Sequence, residues 1–335
     1  PGLTGTGVAY EVGREPTAVL ARDFNGDGFV DIVTPNESGD DISFLAGLGD
    51  GSFATKVETF CGFGPLSGDS ADLDGDGDFD VVVANSGSFD VGLLINSGGG
   101  VFSPTFLDVP DFPAAIRAVD LDGDQIVDLA VTHEKDDFVS LWMGDGLGGF
   151  TSAGTLPVGE EPIALVARDL DGDGFVDLAT ANFDTSDVSV LWGLGGGGFQ
   201  PEVRLAAGAG QRTWALAALD LDGDGRFDLV ASNEVSDDLT VLLQTAPQSF
   251  SAPILHATPD SPREVAGADL DGDGHMDLVV AHDSSQDLGS VSFGRGDGTF
   301  GAAQPLPEAG DTANRVALAD FDGDGDLDAA FGNKG

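Results

Sequence analysis

The nine-residue phrase DLDGDGFVD, residues 169–177, decides the fold of this 335-residue chain. Six close copies accompany it, and the intervals between leading aspartates are 48 to 51 residues. The copies are DFNGDGFVD from Asp23, DLDGDGDFD from Asp72, DLDGDQIVD from Asp120, DLDGDGRFD from Asp220, DLDGDGHMD from Asp269 and DFDGDGDLD from Asp320. Seven copies in register indicate a repeat protein in which each unit is one supersecondary module.

Each unit contains four short apolar or mixed segments separated by turn residues. In the unit that contains Asp169 these are residues 163–168, 178–181, 188–192 and 202–205, and the acidic phrase lies between the first two. Such a pattern predicts a four-stranded antiparallel meander, and no ten-residue stretch shows helical periodicity. Repeated units of this size favour radial closure, which protects the sheet edges. We therefore predict one all-β domain over residues 1–335, a seven-bladed β-propeller with the acidic loops between the first and second strands.

The two ends of the chain predict an unusual last blade. Residues 8–12, followed by GREP, match the end of a fourth strand and its exit turn, so the N-terminal strand should close the last blade. The sequence ends 15 residues after Asp320, just past the second strand of that unit. Because no segment supplies a third strand, we expect either a last blade of three strands or a natural protein that continues past Gly335.

The acidic phrase has the composition of a loop that binds Ca²⁺. Carboxylates at positions 1, 3, 5 and 9 and the carbonyl of position 7 offer the hard oxygen ligands of which Ca²⁺ takes six to eight. Mg²⁺ fits this set less well, and the sequence has no suitably spaced His or Cys ligands for zinc. We predict up to seven Ca²⁺ ions. The predicted ligands are Asp23, Asn25, Asp27, Phe29, Asp31, Asp72, Asp74, Asp76, Asp78, Asp80, Asp120, Asp122, Asp124, Ile126, Asp128, Asp169, Asp171, Asp173, Phe175, Asp177, Asp220, Asp222, Asp224, Arg226, Asp228, Asp269, Asp271, Asp273, His275, Asp277, Asp320, Asp322, Asp324, Asp326 and Asp328.

Two loops depart from the common pattern. Asn25 replaces an aspartate at position 3, which keeps an oxygen but removes a charge. Gln125 replaces the glycine at position 6, where a left-handed backbone is expected, at a cost of roughly 1 kcal/mol for a residue with a Cβ. The third loop should therefore be the weakest site. The alternative, that the phrases are solvated Asp/Gly turns, requires three to five unneutralised carboxylates within nine residues, seven times over.

The charge balance excludes several classes of function. Aspartates and glutamates number 59 against 13 basic residues, which gives a formal net charge of −46. Because so negative a surface repels phosphate backbones and anionic lipid, we expect neither nucleic-acid binding nor peripheral membrane anchoring. No apolar run approaches the roughly 18 residues that a membrane helix needs, so we also expect no membrane insertion. The single cysteine, Cys61, excludes an intramolecular disulfide framework.

The seven acidic phrases, with the GDGSF-like turns that follow them, resemble FG-GAP and VCBS-type repeats. This family includes the propeller of integrin α-subunits. The resemblance implies a calcium-stabilised, seven-bladed propeller that is secreted or displayed at the cell surface. It does not imply a single activity, because members of the family serve as adhesion modules and as carbohydrate-binding or lyase scaffolds.

The face opposite the acidic loops should carry polar residues that are not metal ligands and are therefore available for other roles. Asn/His positions and nearby acids recur there, and turn capping is their simplest role. These are Asn36, Asn85, His133, Asn182, Asn233 and His282, with Asp41, Asp90, Asp187, Asp238 and Asp287. Arg212, Trp214 and Arg263 interrupt the repeat pattern and are the better ligand-binding candidates.

Charged residues at equal register on neighbouring inner strands predict two inter-blade ion pairs. The pairs are Asp69 with Arg117, and Glu264 with Arg315. A structural role is the simpler interpretation of both pairs, and a ligand bound in the channel is the alternative.

The functional prediction is a binding or adhesion module for a protein or glycan. The alternative is a polysaccharide-active, lyase-like enzyme on the same scaffold. The sequence contains no G-x-S-x-G, no HExxH and no Cys–His pair, so no catalytic residue is predicted.

Overall fold

A computed structural model of the protein describes residues 7–207, 212–284, 288–306 and 312–333. Within these ranges the regular secondary structure consists of β-strands only. None of the described residues therefore belongs to a helix that could span a membrane. The strands are β1 (Leu20–Arg22), β2 (Asp31–Asn36), β3 (Asp41–Leu45), β4 (Val57–Phe60), β5 (Pro65–Ala71), β6 (Asp80–Asn85), β7 (Asp90–Asn96), β8 (Phe102–Asp108), β9 (Pro113–Val119), β10 (Asp128–His133), β11 (Phe138–Gly144), β12 (Phe150–Pro157), β13 (Pro162–Arg168), β14 (Asp177–Asn182), β15 (Asp187–Leu191), β16 (Val203–Ala206), β17 (Thr213–Leu219), β18 (Asp228–Asn233), β19 (Asp238–Leu242), β20 (Gln244–Ala246), β21 (Ser249–Phe250), β22 (Ile254–Ala257), β23 (Pro262–Ala268), β24 (Asp277–His282), β25 (Gly289–Ser292), β26 (Gln304–Pro305), β27 (Ala313–Ala319) and β28 (Asp328–Asn333).

The strands form six four-stranded antiparallel blades. Their strand orders are β1-β2-β3-β4, β5-β6-β7-β8, β9-β10-β11-β12, β13-β14-β15-β16, β17-β18-β19-β22 and β23-β24-β25-β26. A small hairpin, β20–β21, interrupts the fifth blade. The predicted four-stranded antiparallel blade is therefore confirmed.

The prediction of seven blades, the last closed by the N-terminal strand, is wrong. Among the described residues the seventh repeat forms only the two-stranded sheet β27–β28. Residues 8–12 form no strand. An extended segment becomes a strand only when a neighbour accepts its backbone hydrogen bonds, and among the described residues no third strand lies beside residues 8–12 to do so.

The repeats nevertheless close into a ring. The first strands of successive repeats contact one another, and β27 of the seventh repeat contacts β1 of the first. Each of seven apolar clusters packs between two consecutive repeats, and the last joins the seventh repeat to the first. This last cluster has only three buried members, Ile32, Leu45 and Phe321, so the seam is the most thinly packed part of the ring.

Burial follows position within the blade. The second strand of each complete blade, such as β14, is buried along its whole length, because neighbouring blades cover both of its faces. The outer strand β16 is mostly exposed.

The acidic loops lie on the same face as the Gly-rich turns of the next repeat. One hydrogen bond shows this: the N–H of Gly148, in the Gly-rich turn of the third repeat, donates to the carbonyl of Leu73, in the second acidic loop, at 3.0 Å.

Candidate functional site

Each acidic loop is coiled by hydrogen bonds from its own backbone. In the fourth loop, the two oxygens of Asp169 accept the N–H groups of Gly172 and Gly174 at 2.8 and 3.0 Å. Asp171 and Asp173 each accept the N–H of the residue two places later, at 3.1 and 2.9 Å. These bonds turn the three carboxylates inward along nine residues, which brings acceptor oxygens together at the loop centre.

The position-9 aspartate joins the loop to the blade. Asp177 begins β14 and is fully buried. Its Oδ2 accepts the N–H of Leu170 at 2.8 Å, and its Oδ1 accepts the N–H of Gly193, just after the third strand, at 2.7 Å. Burial raises the pKa of this carboxyl to about 6, although the backbone donors oppose the shift. Asp80 and Asp228 occupy the same position and have the same pKa of about 6 for the same reason.

Carboxylates of the same loop converge closely enough to share one cation. In four loops, the aspartates of positions 1, 3 and 9 offer oxygens that lie within 4.8 Å of one another. These trios are Asp72, Asp74 and Asp80; Asp120, Asp122 and Asp128; Asp169, Asp171 and Asp177; and Asp220, Asp222 and Asp228. In the sixth loop the converging set is Asp269, Asp271 and Asp273. Oxygens that share a Ca²⁺ ion at about 2.3–2.6 Å lie within about 5 Å of each other, so the donor set fits this ion.

The two unusual loops keep the common backbone. The φ angle of Gln125 is 71°, and the equivalent glycines have φ from 87° to 95°. The prediction that position 6 is left-handed is thus confirmed, and Gln125 adopts it despite its Cβ. In the first loop, the Asn25 side chain donates from Nδ2 to Oδ1 of Asp31 at 3.3 Å, and its Oδ1 accepts the N–H of Asp27 at 2.9 Å, as the position-3 aspartate Asp171 accepts the N–H of Asp173 in the fourth loop.

The Asn and His residues of the opposite face are structural. The Nδ2 of Asn182 donates to Asp187 Oδ1 at 2.8 Å and to Ser189 Oγ at 2.9 Å. His133 lies 2.8 Å from Ser140 Oγ through Nε2 and 3.0 Å from a backbone carbonyl through Nδ1. All six of these Asn and His side chains are fully buried, and their side-chain hydrogen bonds join the end of the second strand to the third strand. Asp287, one of the predicted nearby acids, lies outside the described residues.

The three predicted ligand-binding residues lie in one cluster, which we call the rim cluster. Arg263 places its Cζ 3.9 Å from the centroid of a Trp214 ring. Phe183 packs edge-on against Trp214 at 5.6 Å between ring centroids, and the Cζ of Arg212 lies 5.1 Å from the Phe183 ring. Glu234 and Asp283 complete the cluster by accepting hydrogen bonds from Arg263 Nη2 at 3.0 and 2.9 Å.

Within the rim cluster, Arg263 and Arg212 have different roles. The side chain of Arg263 is 9% exposed and forms salt bridges with Glu234 of the fifth repeat and Asp283 of the sixth. Its Nε and Nη1 are buried without a hydrogen-bond partner, and the Trp214 ring beneath the guanidinium offsets part of that cost. Arg212 is exposed and is the cation that a ligand can reach.

Sequence reasoning missed Phe183 and Glu234. Both directly follow the last residue of a second strand, where the other complete repeats have Glu37, Ser86, Glu134 and Asp283. Phe183 is the single aromatic residue in that set, and a comparison of this register position across the repeats would have found it.

Neither of the two predicted ion pairs forms a salt bridge within 4.0 Å. No N···O distance of 4.0 Å or less joins Asp69 to Arg117, or Glu264 to Arg315, in the described parts of the chain. Each acid instead accepts a backbone N–H from the residue after the arginine. The N–H of Ala118 donates to Asp69 at 3.0 Å, and that of Val316 donates to Glu264 at 2.9 Å. The inner strand is the edge of its blade, so its unpaired N–H groups are available to the neighbouring acid.

These observations define the class of protein, a repeat β-propeller with acidic loops on one face. The family model for the FG-GAP-like repeat matches residues 23–83, 72–131, 120–180, 169–231, 228–280 and 269–331. The chain belongs to this family. No curated protein sequence matches the chain.

Solved structures with low sequence identity share the fold. An Agrocybe aegerita lectin that recognises non-reducing terminal N-acetylglucosamine is 21% identical, with a TM-score of 0.62 over 94% of this chain and 85% of the lectin. BBS1N, solved in complex with ARL6DN, is 13% identical, with a TM-score of 0.66 over 98% and 91% of the two chains. A putative 6-phosphogluconolactonase from Bacteroides fragilis is 15% identical, with a TM-score of 0.67 over 94% and 87%. At these identities the likeness shows the fold alone.

Proposed function

We propose that the protein is a calcium-binding extracellular β-propeller that acts as a binding or adhesion module for a protein or glycan. The observation that carries the calcium assignment is the convergence of aspartate oxygens within 4.8 Å in several loops of one face. When bound, Ca²⁺ would supply positive charge to carboxylates that otherwise repel one another. Extracellular modules use such sites at the high calcium concentration outside cells, which also supports a secreted or cell-surface location.

The loop residues couple this ion to folding. Asp177 joins the loop to the second and third strands through its two oxygens, so a cation held with Asp169 and Asp171 stabilises the blade as well as the loop. The unfolded chain has no preformed site, and binding free energy therefore adds to the free energy of unfolding.

Chelation and titration test the calcium assignment. Protein freed of metal and shown to be so by elemental analysis should bind several Ca²⁺ in isothermal titration calorimetry, and Ca²⁺ should raise its melting temperature. Mg²⁺ at the same concentration should raise it less. An identical melting temperature in excess EDTA and in Ca²⁺ would refute the assignment.

The rim cluster is the favoured ligand site on the opposite face. It offers an exposed cation, Arg212, beside the half-buried rings of Phe183 and Trp214 on a protein of net charge −46. A cation beside aromatic rings suits a ligand with an acidic group and an apolar face, such as an acidic sugar or a peptide carboxylate. His133 and His282, the histidines of this face, are buried and use both ring nitrogens in structural contacts, so binding is proposed ahead of catalysis.

Glycan arrays and protein-interaction screens, run with and without Ca²⁺, test the binding role. Arg212→Ala should weaken binding of any ligand found, and Arg295→Ala is the matched control because it removes the same charge from an exposed turn on the loop face. Equal binding by both variants would place the ligand elsewhere. Cleavage of acidic polysaccharides in parallel assays would instead support the lyase-like alternative.

A further inference from the structure

Five exposed phenylalanines lie along the outer side of the first two blades and the turns beside them. The outer strands β4 and β8 contact one another there. Phe60 of β4 packs edge-on against Phe63 at 5.4 Å and against Phe106 of β8 at 5.9 Å between ring centroids. Each of the five side chains keeps 36–56% of its surface exposed. We call this group the phenylalanine patch; its members are Phe60, Phe63, Phe89, Phe106 and Phe112.

The remaining two members form a pair next to Phe63. The rings of Phe89 and Phe112 pack edge-on at 4.8 Å between centroids. Phe89 follows Ser88, whose Oγ accepts the N–H of Phe63 at 3.1 Å and whose own N–H donates to the carbonyl of Phe63 at 3.2 Å. The turn that carries Phe89 is therefore hydrogen-bonded to the turn that carries Phe63, and the two groups of rings are neighbouring parts of one surface.

The patch interrupts the repeat pattern. Phe63, Phe89 and Phe112 occupy register positions at which the other described repeats have a polar residue or glycine. The residues at the position of Phe63 are Arg14, Asp111, Glu160 and Asp260, and those at the position of Phe89 are Asp40, Asp137, Ser186 and Asp237. Because the same turns fold with polar residues elsewhere in the ring, folding does not require phenylalanine at these positions.

Two members of the patch also have an unfavourable backbone conformation. The φ angle is 59° at Phe89 and 55° at Phe112. This left-handed region suits Gly, Asn and Asp, and it is unfavourable for a bulky residue with a Cβ. Exposed rings held in such a conformation cost stability twice, and residues of this kind concentrate at functional sites. The patch therefore has the features of a binding surface.

The charges around the patch indicate what it binds. Residues 57–116 contain no lysine, arginine or histidine. Asp108 lies two residues after Phe106, on the same face of β8, and Asp111 directly precedes Phe112; both aspartates are exposed. Among the described residues no basic group lies within 4.0 Å of either carboxylate. The rings are thus bordered by negative charge that the protein itself does not compensate.

We propose that the phenylalanine patch is a second binding surface, which receives a protein segment that combines apolar side chains with lysine or arginine. The apolar side chains would cover the rings, and the cations would neutralise Asp108 and Asp111 and contact exposed ring faces. A second copy has the same acidic surface and a net charge of −46, which opposes self-association. A neutral glycan would leave the carboxylates uncompensated. The patch shares no residue with the rim cluster, so a negative result leaves the role of the rim cluster unaffected.

A library of random 12-residue peptides displayed on phage is the probe. Selection on the whole protein in Ca²⁺, with counter-selection on the double variant Phe63→Ser, Phe106→Thr, should enrich peptides that contain both apolar residues and Lys or Arg. Thr155 occupies the position of Phe106 in the third blade, so the double variant should fold, which its melting temperature verifies. Leu255→Thr is the matched control, because Leu255 has the same register in the fifth blade and is 61% exposed.

Fluorescence anisotropy of the enriched peptides, synthesised with a fluorescein label, measures the contribution of the patch. They should bind the double variant at least about tenfold more weakly than the wild type and should bind Leu255→Thr unchanged. Asp108→Asn combined with Asp111→Asn, or added NaCl, should also weaken binding. Failure to enrich peptides that distinguish the double variant, or enriched peptides without Lys or Arg, overturns the proposal.

Other occupants of the patch give different results with the same double variant. Self-association in sedimentation velocity that the double variant lacks would identify a second copy. Flotation with phosphatidylcholine vesicles, or binding on a glycan array, that the double variant lacks would identify a lipid surface or a glycan. Each of these results overturns the proposal of a basic protein partner.

Discussion

The left-handed residue of the third acidic loop offers a test of how strongly backbone conformation controls these loops. Gln125 has φ 71°, and its counterpart in the fourth loop, Gly174, has φ 91° with no heavy atom within 4 Å of an added Cβ. Exchanging the two residue types, in Gln125→Gly and Gly174→Gln, therefore changes the conformational cost without introducing a clash.

The expected magnitude is about 1 kcal/mol per exchange. A residue with a Cβ pays roughly 1–2 kcal/mol in the left-handed region, and the greater freedom of glycine in the unfolded chain offsets about 0.4–1 kcal/mol of this. Gln125→Gly should stabilise the protein in saturating Ca²⁺, and Gly174→Gln should destabilise it by a similar amount. For a chain of this size the shift in melting temperature is about 1–2 °C in each direction.

Thermal unfolding in Ca²⁺ and calorimetric Ca²⁺ titration provide the assay. The double variant should return close to the wild-type melting temperature, since the two loops belong to different repeats and their effects should add. The reasoning is refuted if Gly174→Gln leaves stability unchanged, or if Gln125→Gly lowers it. Either result would mean that the surrounding loop relaxes and relieves the backbone strain of the left-handed residue at position 6.

Three further outcomes follow from buried charges. In metal-free protein, stability should rise as the pH falls from 7 to 5, measured as melting temperature in EDTA. The pKa of Asp80, Asp177 and Asp228 is raised from 3.8 to about 6, so the folded state binds more protons than the unfolded state in this window. Burial lowers the pKa of His133 and His256, which acts in the opposite direction, but the aspartates with a raised pKa outnumber these two histidines. A melting temperature that falls between pH 7 and pH 5 would contradict the prediction. Asp177→Asn should lower the free energy of unfolding by about 1–3 kcal/mol in Ca²⁺, because one backbone donor loses its acceptor. In EDTA the loss should be smaller, because the substitution also removes a buried charge. Equal losses in thermal unfolding under both conditions would argue against a cation at this loop. Arg263→Met should lower stability by about 3–5 kcal/mol in urea unfolding, because it removes a buried cation from between two carboxylates, whereas exposed Arg212→Met should change it little.

The local features of this protein could be predicted from sequence because each depends on a few consecutive residues. The coiled acidic loops follow from the spacing of Asp and Gly, and the left-handed position 6 follows from the glycine that six of the seven copies place there. The four-stranded blade follows in the same way from short apolar segments separated by turns. Repetition made these patterns unmistakable.

Features that require two distant segments to meet were decided by the tertiary structure. Arg212, Trp214 and Arg263 were identified individually, but Phe183 and Glu234 join them only because three neighbouring repeats bring their second-strand ends to one rim. Asp69 and Glu264 bind backbone N–H groups of the neighbouring strand, which a sequence pattern does not display, and form no salt bridge within 4.0 Å to Arg117 or Arg315.

The number of complete blades could not be predicted from the number of repeats. Seven phrases predict seven loops, and a blade exists only where a third strand pairs with the second. Sequence alone therefore determined the loops, the period and the blade type. Only the folded ring showed that residues 8–12 do not pair as a strand and that, among the described residues, β28 pairs with β27 alone, because strand pairing depends on neighbours in space and not on the residues of one edge.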